Sequence, residues 1–150
     1  MKITVYALSE LTKLHRDGNV YEGQSMIANL YAVWIGFLAG CISGAVPGLF
    51  FYQEDWLGGY PSWRRRMIRL AHISFFGIAF INLAFVLSGH LFSIESGVRI
   101  SSYSLIAGAI TMPLVCYLSA MKPFFRHLFF IPVVSILIGI VAFLIKVSSL

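Results

Sequence analysis

Four long apolar runs, at residues 25–51, 67–92, 100–121 and 127–147, leave this chain few folds to choose from. Each reaches the about 20 residues that a helix needs to cross the hydrocarbon of a bilayer. With loops, 150 residues leave room for about four or five such spans and no extramembrane domain of normal size. Short connections make consecutive helices antiparallel neighbours. Composition agrees: 59% of the 150 residues are hydrophobic and 11% charged, against roughly 45–50% and about 25% in soluble domains. Thirteen Phe and seven Tyr rule out a disordered chain. The expected fold is an all-α integral membrane protein: four transmembrane helices in an antiparallel bundle over 25–150, preceded by an interfacial amphipathic helix and linker over 1–24.

In that first segment Val5, Leu8, Leu11 and Leu14 recur at helical spacing opposite Lys2, Ser9, Lys13 and Arg16, with Gly18 suited to a C-cap. The segment is too charged for a signal peptide, and the following run is long enough to span. Leu38-Ala39-Gly40-Cys41 matches a lipoprotein cleavage pattern, but the chain stays apolar afterwards and coincidence explains it better. Cys41 and Cys116 lie inside apolar runs and make neither a disulfide framework nor a zinc spacing. Pro47, Pro113 and Pro132 fall inside spans and predict kinks.

The formal charge of +5 comes largely from cations flanking the spans, the ordinary placement in membrane proteins, and does not indicate nucleic acid. Arg64, Arg65, Arg66, Arg69, Lys122 and Arg126 fall on one side, against Lys13, Arg16, Arg99 and Lys146 on the other. The bias puts both termini outside the cytoplasm.

Ala28, Ala32, Gly36, Gly40, Gly44 and Gly48 place a small residue at every fourth position of the first span. Such a stripe lets another backbone come close where no hydrophobic drive exists between helices. It can pack the protein's own bundle, form an interface with another subunit or a second copy, or line a pore; the first weighs most. Ser104 with Gly108, and Ser135 with Gly139, offer smaller faces of the same kind.

Ionisable groups inside a membrane are costly and therefore point to function. Arg65, Arg69, His72 and His90 share one face of the second span. His72 lies near the arginine-rich boundary, where it can sit at headgroup level or donate to a neighbouring carbonyl. His127 opens the fourth span at similar expected depth, so His72 and His127 are candidate axial ligands of a b-type haem, with arginines pairing its propionates. With Glu54 and Asp55 they could instead gather around a metal, although no chelating spacing supports it. Asn82, near the middle of its span, is expected to hydrogen-bond another helix, with Thr111 and Tyr117 as candidate partners.

The connection from Tyr52 to Arg66 carries Trp56, Tyr60, Trp63, Arg64, Arg65 and Arg66, with Arg69 just beyond. Tryptophan and tyrosine belong to the interfacial belt and arginines pair phosphates, so lipid contact accounts for these residue types. The same types form hot spots for a docking partner.

Phe50-Phe51-Tyr52-Gln53-Glu54-Asp55-Trp56-Leu57-Gly58-Gly59-Tyr60, followed by Arg69-Leu70-Ala71-His72-Ile73-Ser74-Phe75-Phe76-Gly77, resembles a family of small bacterial inner-membrane proteins. Gly108-Ala109-Ile110-Thr111-Met112-Pro113-Leu114 and Ile131-Pro132-Val133 fit it too, so the likeness spans roughly residues 30 to 145. It implies a four-helix protein of the bacterial inner membrane and no settled activity. No nucleophile–base pair or phosphate loop occurs, and no acid sits at a span centre where proton-coupled transport needs one. The leading expectation is a non-catalytic accessory or assembly subunit of a larger membrane complex, respiratory complexes among them. A haem-binding electron carrier and a small-solute transporter or channel are the alternatives.

Overall fold

The computed structural model describes residues 2–94 and 96–149, with side chains described from residue 24 onward. The described residues contain four long helices and no strand: α1 (Lys2–Gly48), α2 (Trp63–Leu91), α3 (Arg99–Met121) and α4 (Phe130–Ser148). The surface helix expected over 1–24 falls, apart from Gln24, on residues whose side chains lie outside this description. Gln24–Gly48, Trp63–Leu91, Arg99–Met121 and Pro123–Ser148 are long and apolar enough to cross a membrane, which makes this a multi-pass membrane protein.

Local chemistry sets the ends. Ser62 caps α2 by accepting from the Arg65 backbone N–H at 3.2 Å. Leu57, Gly58 and Gly59, all at positive φ, make the turn before it. Pro123 follows the extended Lys122 that ends α3 and opens a 3-10 stretch over Pro123–Phe129, so the fourth helix proper begins at Phe130 and His127 lies before it. Two of the three expected kinks lose their cause. Pro132 sits in the first turn of α4, where a missing N–H breaks no helical bond, and Pro47 sits one residue from the end of α1, so the bond it removes leaves no helix beyond it to bend. Pro113 alone lies well inside a helix.

Neighbouring helices run antiparallel, and glycines mark where they meet. A Cβ on Gly36 would stand 3.0 Å from that of Ala79, one on Gly40 2.7 Å from the Phe76 ring, and one on Gly44 would strike the His72 ring. These contacts dock α1 on α2, and Gly89 receives Met26 farther along the same seam. Gly108 receives Ile136 and Gly139 receives Leu105, which docks α4 on α3. Without a hydrophobic drive between helices in lipid, close backbone approach supplies the dispersion contacts that hold such seams.

All four helices contribute to a core around Phe85, Ile94, Val98 and Leu105, joined by Met26, Ile136 and Phe143. It lies at the turn between α2 and α3. Phe143 of α4 reaches α2 there, edge-on to Phe85 at 5.0 Å. On its other side α3 is not covered by α4, and a lateral groove lies open between α1 and α3.

Candidate functional site

A polar clamp ties three helices together near the core. Asn29 of α1 and Asn82 of α2 are fully buried, and Asn29 Nδ2 donates to Asn82 Oδ1 at 2.7 Å. Asn82 Nδ2 donates to the Ile78 carbonyl at 2.9 Å, and the buried Ser102 hydroxyl of α3 donates to Asn29 Oδ1. Every amide group thus has a partner, as hydrocarbon requires. The expected partners of Asn82 are corrected: Thr111 bonds the Ala107 carbonyl of its own helix, and the Tyr117 ring packs on Phe75. Asn29 was the missed residue, although an amide inside an apolar run carries the same signal as Asn82.

Toward the arginine-rich end, His72 turns into the α1–α2 seam. Its Nδ1 lies 2.9 Å from the Gly40 carbonyl and 3.3 Å from Ser43 Oγ, and Ser43 itself donates to Gly40 at 3.0 Å. A carbonyl only accepts, so Nδ1 carries a proton, and in the neutral ring Nε2 is then the acceptor. His72, Arg69, Ser43, Gly44, Pro47, Phe51, Ile68 and Ile73 enclose a recess of about 240 Å³.

His127 stands elsewhere. It is exposed on the 3-10 stretch that packs against α3 and α4, beside the Phe124 ring. The two histidines expected to face each other as haem ligands face different neighbours, because the chain turns through Pro123–Phe129 before α4 starts. Among the described residues no three His, Cys, Asp or Glu side chains gather as a metal site.

The connecting loop is organised from within by Arg65. This cation is only 5% exposed; Nη2 donates to the Phe51 carbonyl at 3.1 Å, and the guanidinium lies 4.9 Å from the Phe51 ring, 5.9 Å from Trp56 and 5.6 Å from Tyr60. Rings and carbonyls replace the water it loses. Trp56 also stacks on Phe50, and Trp63 Nε1 donates to the Ser119 carbonyl at 2.8 Å, joining α2 to α3. Of the seven aromatic and basic residues expected at the surface, the buried Arg65 is corrected, while Tyr60 stays 68% exposed. Arg65 faces inward and Trp63 is tied to α3, while Arg64 and Arg66 stay exposed and Arg69 packs on Tyr60 at 4.3 Å.

The small-residue stripe divides in two. Gly36, Gly40 and Gly44 are occupied by α2, and Gly48 has open space around it. Ala28, Ala32 and one side of Gly36 line the lateral groove, about 640 Å³, with Ala79 on its floor and Ala109, Pro113 and Tyr117 on its far wall.

No family model, curated protein or solved structure matches the chain.

Proposed function

We propose that this chain is a non-catalytic integral membrane protein that packs as an accessory or assembly subunit in a larger membrane complex. Its lateral groove receives a spanning helix of a partner subunit. The observation that supports this reading is the lining of the groove: Ala28, Ala32, Gly36, Ala79 and Ala109 set between the larger Tyr31, Phe75 and Tyr117. Within the bundle, α1 docks on α2 and α4 on α3 wherever a glycine or alanine admits the neighbour. The groove repeats that device on an uncovered side, and its apolar walls offer little to orient a polar small molecule. An apolar helix with a face of small residues is the occupant that complements it.

By the same reading the chain resides in a bacterial inner membrane with both termini outside the cytoplasm, which places the six cations of the 64–69 and 122–126 stretches on the cytoplasmic side.

Replacing Ala32 or Ala109 with Phe fills the groove without entering the α1–α2 seam. Native gels of mildly solubilised membranes should show the wild-type chain in a high-mass band that both variants leave. Wild-type migration at monomer mass, or variants that stay in the band, would overturn the reading.

A further inference from the structure

We propose that the recess between α1 and α2 lined by Arg69, His72 and Ser43 binds the headgroup of a phospholipid that carries an O–H or N–H donor beside its phosphate. Three observations converge on this ligand chemistry.

The first is hydrogen-bonding capacity. Arg69 has five N–H donors, and the structure engages it through one weak bond, 3.4 Å to the Tyr60 carbonyl, and the face of the Tyr60 ring. The remaining donors suit a phosphate, which arginine pairs well. His72 lines the recess, and with Nδ1 committed to Gly40 its neutral ring has Nε2 as the acceptor to offer there. Phosphate oxygens cannot donate to it. A headgroup hydroxyl or ammonium can, so the pair asks for a phosphate and a donor on one molecule. Glycerol and ethanolamine headgroups supply both; choline supplies only the phosphate.

Depth is the second. The 29 residues of α2 exceed the about 20 that hydrocarbon requires. Twenty residues counted back from Leu91 end at His72. With Leu91 at one edge of the hydrocarbon, His72 lies at the opposite edge and Arg69 one turn outside it, at headgroup level.

Third, the recess opens sideways. Ile73 and Phe51 on its rim are 61% and 41% exposed, and Pro47 and Ile68 complete apolar walls against which the glycerol ester and first methylenes can lie. Soluble phosphate would leave those walls bare.

The test is native mass spectrometry of the delipidated full chain in detergent, titrated separately with phosphatidylglycerol, phosphatidylethanolamine, phosphatidylcholine and inorganic phosphate. Phosphatidylglycerol and phosphatidylethanolamine should bind, with phosphatidylcholine about tenfold weaker, the loss set by one hydrogen bond to the ring. Arg69→Gln should weaken the two preferred lipids by about tenfold or more. His72→Phe should erase the preference over phosphatidylcholine. Because His72 also packs α1, Arg69→Gln, which leaves that seam intact, keeps the proposal testable if His72→Phe misfolds. Arg126→Gln, an exposed cation expected on the same side, is the control for general charge and should bind like wild type. Equal binding of the three lipids, equal losses in Arg126→Gln and Arg69→Gln, or full competition by millimolar inorganic phosphate would overturn it.

Discussion

Asn29 and Asn82 meet in the part of the molecule where an unpaired amide is most costly. Their mutual bond at 2.7 Å joins α1 to α2, and Ser102 extends it to α3. Hydrogen bonds of this kind in membrane proteins couple residues by about 0.6 kcal/mol, and by about 1.7 at most. Asn82→Leu removes the bond and strands Asn29 Nδ2 with the Ser102 carbonyl at 3.4 Å as its remaining acceptor. That variant should therefore lose about 1 to 2 kcal/mol in reversible unfolding in mixed micelles. The Asn29→Leu/Asn82→Leu double variant should cost less than the sum of the singles, since it leaves no stranded partner. Strict additivity would show that the amides do not act together. Asn82 was legible from its place in the sequence as a residue seeking another helix. Its partner was not, because the depth at which Asn29 meets Asn82 depends on how the 49–62 connection sets one helix against the next, and that register has no local signature. Arg65 illustrates the same limit. A basic residue beside aromatic ones reads as a lipid anchor until the loop is seen to fold Phe51, Trp56 and Tyr60 around it.

Among elements, glycine has two meanings here. At Gly40 and Gly44 the missing Cβ is what brings α2 close: a methyl on Gly44 would enter the His72 ring, and one on Gly40 would press into Phe76 at 2.7 Å. Gly77 lies on the exposed face of α2, and a Cβ there would meet nothing within 4 Å. There the hydrogen side chain gives only backbone freedom, which folding must remove. Gly77→Ala should accordingly raise stability by about 0.5 to 1 kcal/mol. Gly44→Ala should lower it by about 1 to 3, as overpacked sites do. Unfolding of the two variants in the same micelles checks both signs, and a stabilised Gly44→Ala would contradict the seam. The apolar runs specify that four helices exist and where they lie to within a few residues. The four-residue spacing of the stripe told that something approaches α1 closely. Spacing alone does not name the neighbour: the stripe winds around the helix, so its middle faces α2 while Ala28 and Ala32 turn toward the groove.

For the whole molecule, the order of packing decides which surfaces are left. Placing α4 on one side of α3 while α1 lies on α2 leaves the opposite side of the α1–α3 pair uncovered, an outcome that four apolar runs do not encode. Charge is distributed more legibly. The Trp63 bond to Ser119 puts the start of α2 and the end of α3 at one end of the bundle, so the 49–62 connection and the stretch from Lys122 share a side. The start of α2 and the stretch from Lys122 carry Arg64, Arg65, Arg66, Arg69, Lys122 and Arg126, whereas the described residues at the opposite end carry Arg99 and Lys146. Retention of cations on the cytoplasmic face then fixes the proposed orientation of the molecule. Single cysteines at Ser62 and Ser96, in a background with Cys41 and Cys116 changed to Ala, separate the two sides. In intact spheroplasts a membrane-impermeant maleimide should label Ser96→Cys at once and Ser62→Cys only after lysis. The reverse pattern would invert the molecule. It would also move the Arg69–His72 recess to the outer leaflet, leaving its predicted headgroup preference unchanged, because that preference rests on the ring proton held by Gly40 rather than on the side of the membrane.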